Sequence, residues 1–306
     1  MNPTPPNPAG SNPAGSNPAG RGLAASSLTV SNLTIEVGGR VVVDDVSFHV
    51  DGGERFGLIG ESGSGKSLTA LALLGLLPEG ARVSGSIRLG DTEIVGLSER
   101  ELARIRGRRL GIVFQEPRTA LNPIRTVGSQ IMTPIRRHTD ASKRDARRRA
   151  IELATLVRLP EPDRIVDRYP HQLSGGQRQR VAIAIALAAD PDVLIADEPT
   201  TALDVTIQAE ILDLFARIQR ERGMSLLFIT HDLAVLQRTV DRASVLAEGR
   251  VVEEASIETL LHDPASPVTR ALLEAARATT WTAGATTDHD DDNNNDYNRA
   301  KDEGAL

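Results

Sequence analysis

The stretch Gly60-Glu61-Ser62-Gly63-Ser64-Gly65-Lys66-Ser67 constrains this chain more than any other. Its spacing is G-x-x-x-x-G-K-[ST], and its flanks are those such a loop needs. Arg55-Phe56-Gly57-Leu58-Ile59 reads as a short buried strand entering the loop, and Ser67 to Leu77 as a helix leaving it, closed by Pro78 and Gly80. Glycines let the backbone wrap closely, so that successive N–H groups face phosphate oxygens. The helix N-terminus adds its unpaired donors and the positive end of its dipole. Lys66 is expected at the β- and γ-phosphates, the Ser67 hydroxyl at Mg²⁺, and nucleotide contacts throughout Gly60 to Leu68. Alone, the motif specifies a nucleoside triphosphate.

A second glycine-rich turn, Leu173-Ser174-Gly175-Gly176-Gln177, precedes the helical run Arg178 to Ala189 and offers another anion site at a helix start. Farther on, Val193-Leu194-Ile195-Ala196 is an apolar strand closed by Asp197 and Glu198. Two adjacent carboxylates at the end of a buried strand are expensive without partners, and a bound Mg²⁺ would supply one. Ser225 to Thr230 is a further buried strand, followed by His231-Asp232, and Gly111-Ile112-Val113-Phe114 ends in the polar Gln115.

In this order the motifs resemble those of ATP-binding-cassette (ABC) ATPases, over about residues 28 to 273. Tyr169-Pro170-His171-Gln172 through Arg180, and Glu116-Pro117-Arg118-Thr119-Ala120-Leu121-Asn122-Pro123, resemble the oligopeptide, dipeptide and nickel importer branch. The resemblance implies an α/β fold: a P-loop (RecA-like) core, an antiparallel β subdomain and an inserted α-helical subdomain. It implies ATP hydrolysis with Asp197, Ser67 and Gln115 organising Mg²⁺, Glu198 polarising the attacking water and His231 at the γ-phosphate. Lys66 and Gln115 join Glu198 and His231 in the catalytic set. Thr201-Ala202-Leu203-Asp204 resembles the D-loop, where the family more often has Ser first. Two such chains pack head to tail in the family, so Ser174, Gly175, Gly176 and Gln177 are expected to serve a partner's nucleotide. A heterodimer with a second ATPase chain, two integral membrane permeases and, indirectly, an extracytoplasmic solute-binding protein are the implied partners. The place implied is the cytoplasmic face of the membrane, and the cargo peptides, nickel or a similar small solute. A soluble ATPase of a carbon–phosphorus lyase-type complex is the alternative. Two departures stand out. Val37 occupies the position where the family stacks an aromatic on adenine, and Ser266-Pro267-Val268-Thr269 stands where peptide importers often have His-Pro-Tyr-Thr.

Composition narrows the rest. The 306 residues contain no cysteine, which excludes disulfides, cysteine-ligated zinc and iron–sulfur clusters. No apolar run reaches the roughly 18–20 residues that span a bilayer, and the Pro/Asn-rich start has no apolar segment of a signal peptide. At a membrane, other subunits must therefore cross it. The net charge is −6, of which residues 288–306 hold −5, with seven acids and two bases. A near-neutral body gives no electrostatic case for nucleic acid.

Asn-Pro-Ala-Gly recurs at positions 7, 12 and 17, so 1–22 is expected to be disordered, as is the acidic tail 278–306. Between them, 23–277 is expected to be the ATPase domain, with a helical subdomain at about 116–172 and a C-terminal extension at about 262–277. Leu28–Val30, Thr34–Val37 and Val41–Val50 read as strands with a hairpin turn at Gly38-Gly39. Ser142 is expected to cap a helix with Arg144, Arg147, Arg148 and Arg149 outward and Ala150, Leu153, Leu156 and Val157 inward. Those arginines fit a solvated face or a contact with anionic lipid. Val205 to Arg222 reads as an amphipathic helix, with Ile207, Ile211, Leu214 and Ile218 inward.

Overall fold

A computed structural model of the chain describes residues 26–115, 120–201 and 203–284, with side chains as far as 277. The expected N-terminal segment 1–22 and most of the tail lie outside these residues. The last helix continues to Gly284.

The apolar alternation at the start of the chain folds as one hairpin. β1 (Leu28–Val37) pairs antiparallel with β2 (Arg40–Val50). The segments expected at 28–30 and 34–37 are a single strand, because shifts in register after Val30 and Leu33 absorb the break in alternation. Gly38 and Gly39 turn the hairpin with φ of 59° and 80°, the two left-handed positions a two-residue turn demands. The chain then passes through β3 (Arg55–Gly60) and returns to the first sheet as β4 (Arg82–Leu89) and β5 (Thr92–Glu93), in the order β2-β1-β4-β5.

β3 belongs to a second sheet, with β6 (Leu110–Val113), β7 (Val193–Asp197), β8 (Ser225–Thr230), β9 (Arg242–Ala247) and β10 (Arg250–Ser256). The order is β10-β9-β3-β8-β7-β6, parallel throughout except at β10. β7 and β8 are buried at every position, as continuous apolar strands are when both faces are covered. Alternate residues feed two cores: Leu194, Ala196, Leu226 and Phe228 one, Val193, Ile195, Leu227 and Ile229 the other. Parallel pairing brings the carboxyl ends of β3, β6, β7 and β8 to one edge, the place where open α/β sheets bind ligands.

The helices are α1 (Lys66–Leu73), α2 (Glu99–Ile105), α3 (Val127–His138), α4 (Lys143–Leu156), α5 (Pro162–Ile165), α6 (Gly175–Ala186), α7 (Val205–Arg222), α8 (Leu233–Thr239), α9 (Ile257–His262) and α10 (Pro267–Gly284). α1 ends four residues before the expected Leu77. Leu76 N–H reaches Leu71 O at 2.8 Å and Gly75 N–H reaches Ala72 O at 2.9 Å, with Gly75 at φ 60°. That is a left-handed glycine closure. α6 starts at Gly175 rather than Arg178, because Ser174 caps it and the two glycines form its first turn. α3, α4 and α6 pack on one another around Ile131, Ala150, Leu153 and Val181. Ser142 caps α4 as expected, accepting from Asp145 N–H at 3.1 Å. Leu156 and Ile207, both expected inward, are only partly buried. Three of the four α4 arginines are ion-paired: Arg147 with Asp167 at 2.7 Å, Arg148 with Asp145 at 2.9 Å and Arg149 with Asp190 at 2.8 Å. Among the described residues, no helix is long and apolar enough to cross a membrane.

Candidate functional site

The glycine-rich loop leaves β3 at Gly60 and enters α1 at Lys66. Gly60 is irreplaceable on steric grounds, since a Cβ there would stand 2.1 Å from Leu246 O. Gly65 enters the helix at φ 101°, with Val43 and Val42 of β2 behind it. No side chain caps α1. Among the described residues no hydrogen bond takes up the N–H groups of Ser62, Gly63 or Gly65. Glu61, Ser62 and Gly63 form the exposed crest, while Ser64 is buried and Leu68 is partly buried against the core. The loop therefore presents a run of free donors at a helix start, which is the chemistry of a phosphate cradle.

Lys66 lies under this cradle, 4% exposed. Its ammonium donates to Gly60 O and Glu61 O, both at 2.7 Å, with Ser64 Oγ at 3.4 Å. Burial pulls its pKa below the ordinary lysine value, and the nearby Glu198, Asp197 and Glu61 carboxylates oppose that pull. A buried cation among polar acceptors is positioned for an anion.

The two carboxylates after β7 have different surroundings. Asp197 is 7% exposed, and burial pushes its pKa up, with Glu198 adding to the rise and the Ser67 hydrogen bond and Lys66 resisting it. Ser67 Oγ donates to Asp197 Oδ1 at 3.2 Å. Glu198 follows with its backbone in the left-handed region, φ 45°, which non-glycine residues adopt uncommonly. Its carboxylate is held from three other positions. Gln115 Nε2 donates to Oε2 at 2.8 Å, Thr201 Oγ1 donates to Oε2 at 3.0 Å, and His231 Nδ1 lies 3.1 Å from Oε1. The structure thus brings together Lys66, Ser67, Gln115, Asp197, Glu198 and His231 from the ends of four strands. Thr201 was outside the expected site set. Its signal was its place three residues after Glu198, in a turn that carries the hydroxyl back to the carboxylate.

Ser67 and Asp197, bonded to each other, and Gln115, tied to the adjacent Glu198, offer one carboxylate and two neutral oxygens. That set fits Mg²⁺, which takes hard oxygen ligands and leaves positions for phosphate and water.

The second glycine-rich turn is built otherwise. Ser174 Oγ accepts from Gln177 N–H at 3.3 Å, and Gln177 Oε1 accepts from Ser174 N–H at 3.1 Å. This capping box ties the turn to itself. Gly176 lies against Ile207 of α7, where a Cβ would meet Cγ2 at 2.8 Å, whereas Gly175 has nothing nearer than Leu203 Cδ2 at 4.0 Å. None of the hydrogen bonds of Ser174 or Gln177 reaches the phosphate loop. Val37 ends β1 beside the hairpin turn, partly buried against the core of the smaller sheet.

Comparison with known proteins agrees with this geometry. Residues 43–201 match the family model described as ABC transporter. An oligopeptide transport ATP-binding protein, OppD, of Mycobacterium tuberculosis is 51% identical over 232 residues, covering 76% of this chain and 38% of that protein. The chain thus spans well under half the length of that relative. The protein of the same name from Bacillus subtilis is 47% identical over 239 residues, 77% of this chain and 67% of that one. A probable peptide ABC transporter ATP-binding protein of Sinorhizobium fredii is 47% identical, over 75% of this chain and 69% of its own length. Among solved structures, the dimeric post-hydrolysis state of the ATP-binding cassette MJ0796 bound to ADP and Pi superposes with a TM-score of 0.67. It is 31% identical and covers 75% of this chain and 98% of the cassette.

Proposed function

Because the chain belongs to the ABC transporter family, we propose that it is the ATP-hydrolysing subunit of a peptide importer. The observation that carries this reading is the Glu198 carboxylate, held by Gln115, Thr201 and His231 beside the phosphate cradle. Relatives named for peptide transport favour peptides as cargo over nickel or a lyase-type complex.

Phosphoryl transfer asks a protein mainly to position groups and stabilise charge. Lys66 and the free N–H groups of the loop, those of Ser62, Gly63 and Gly65, bind the triphosphate. Ser67, Gln115 and Asp197 would hold Mg²⁺, which when bound would supply positive charge to offset that of the triphosphate. Glu198 orients and polarises the attacking water in line with the γ-phosphorus, and His231 faces the γ-phosphate. The second glycine-rich turn serves the nucleotide of a head-to-tail partner, a second ATPase chain of different sequence. Closure on ATP and release after hydrolysis then move two integral membrane permeases, fed by an extracytoplasmic solute-binding protein. The chain lies on the cytoplasmic face of the membrane.

Glu198→Gln tests the reading. It keeps the hydrogen bonds while removing the base, so ATP binding should persist while turnover falls by roughly 10³-fold, the scale of a lost general base. Turnover within a few-fold of the unaltered chain would remove Glu198 from this role.

A further inference from the structure

The face of the helical region holds a charge arrangement that nucleotide chemistry does not use. A groove of about 440 Å³ runs between α3 and the start of α4, lined by Arg125, Arg136, Arg137, Lys143 and Arg147 with no acidic side chain. Arg147 is neutralised by Asp167, and Arg125 donates to Thr133 Oγ1 at 3.3 Å. Arg136, Arg137 and Lys143 have no carboxylate partner among the described residues. Arg125, Thr133 and Arg137 also line a neighbouring basin of about 450 Å³, which adds Arg106 and His138 and one acid, Glu99. The field is felt locally. His138 has its pKa lowered by burial and then by the charges of Arg137 and Arg108, and the Arg106 hydrogen bond holds Glu99 below the usual carboxylate range, with Arg137 adding to it. Like charges gathered in a concave surface repel one another and call for an anionic occupant.

We propose that the acidic segment Asp288–Glu303 of this same chain docks in the groove between α3 and α4. The charges match: three unpaired cations and Arg125 face a segment that includes Asp288, Asp290, Asp291, Asp292 and Asp296. The segment begins 4 and ends 19 residues beyond Gly284, so its acids extend from about 13 Å at Asp288 through about 40 Å at Asp296 to about 60 Å at Glu303, comparable with the diameter of about 45 Å for a domain of this size. A tether of that length holds the acids at an effective concentration of the order of millimolar, so a weak electrostatic contact is populated. Three of the four α4 arginines already have carboxylate partners, which leaves the groove and not the outer face of α4 as the place for an anion.

The chain has no cysteine, so a pair introduced into the full-length protein can be cross-linked without background. Thr133→Cys places one thiol in the groove and Asn294→Cys one in the acidic segment. Ser84→Cys on β4 with the same Asn294→Cys is the control. At about 0.05 M salt a short bismaleimide should join the groove pair within one chain roughly tenfold faster than the control pair. At about 0.5 M salt, where the Debye length is about 4 Å, the advantage should vanish. Asp290→Asn, Asp291→Asn and Asp292→Asn together should abolish it at low salt, and these changes leave the folded domain untouched. Equal rates for groove and control pairs at low salt, or a rate indifferent to the three substitutions, would overturn the proposal. A product joining two chains would overturn it in favour of docking in trans. Equal rates with sedimentation of the chain on phosphatidylserine vesicles would overturn it in favour of lipid headgroups.

Discussion

The two glycine-rich turns are written in the same grammar and built for different ends. Both place small residues before a helix, and both leave donors at its start. The loop at Gly60–Ser67 has no side-chain cap and left-handed glycines at Gly63 and Gly65, and its Ser67 bonds Asp197, whose neighbour Glu198 gathers Gln115 and His231 from the ends of two further strands. The turn at Ser174–Gln177 is closed on itself by a capping box, has ordinary helical glycines and receives nothing from the rest of the site. Its Ser174 and Gly175 face solvent. On the proposed function, the first holds the nucleotide of its own chain. The second is a finished, self-closed surface, and on the same reading it meets the nucleotide of a partner.

The largest expected effects separate binding from turnover. Lys66→Ala removes the buried cation and should weaken ATP binding by the isolated chain by roughly 10²-fold or more, on the scale of a lost charged hydrogen-bond partner. Ser174→Arg should leave that affinity within about threefold, while abolishing hydrolysis that depends on a second chain and taking the ~1 kcal/mol of the lost cap from stability. Equilibrium binding of a fluorescent ATP analogue and steady-state hydrolysis, measured on both variants, make the test. If Ser174→Arg weakens ATP binding as much as Lys66→Ala, the two turns serve one site and the contrast collapses.

Next in size is the effect of a single methyl group. Gly60→Ala forces a Cβ to 2.1 Å from a backbone oxygen that cannot move aside, and should destabilise the fold by about 3 kcal/mol, the upper range for overpacking. Gly175→Ala has open space and helical geometry, so it should hold or raise stability by about 0.5 kcal/mol, the ordinary helix gain of alanine over glycine. Gly176→Ala lies between them, because Ile207 Cγ2 is a side-chain atom that can give. Chemical denaturation of the three variants reads all of this directly. Equal losses at Gly60 and Gly175 would mean that both loops are equally crowded.

What was legible in the sequence follows physical range. The phosphate loop, the strand ending at Asp197-Glu198 and the hairpin at Gly38-Gly39 are local patterns, and each lies where its spacing put it. The end of α1 was misplaced because Gly75, which closes the helix, was passed over for the more obvious Pro78 and Gly80. Partners distant in sequence were invisible. The periodicity of α4 identified its basic face, but Asp167 and Asp190, which neutralise Arg147 and Arg149, lie 20 and 41 residues away. The same holds within the site. Gln115 and Glu198 are 83 residues apart and meet only because β6 and β7 pair in parallel.

The smallest expected effect tests whether the phosphate site is bought at the expense of stability. Asp197 is buried beside Glu198, and its raised pKa means that the folded chain holds this proton more tightly than the unfolded chain does. A carboxyl whose folded pKa lies above its unfolded value destabilises the ionised protein at every pH above the folded value, and the penalty fades as pH falls through it. Asp197→Asn keeps the size and an acceptor for Ser67 but removes the charge. It should therefore raise stability at pH 7–8 by about 1 kcal/mol, within the usual range for relieving a functional site, while turnover is lost with the proposed Mg²⁺ ligand. The gain should shrink as pH falls through the raised pKa, where the unaltered carboxyl is itself neutral. No such gain is expected for any substitution at Ser174, whose capping box carries no buried charge. Thermal melts of Asp197→Asn in the absence of nucleotide, taken across that pH range, decide the point. A variant less stable than the parent at neutral pH would mean that Lys66 and Ser67 fully compensate the buried carboxylate, and that the phosphate site is as relaxed as the second glycine-rich turn.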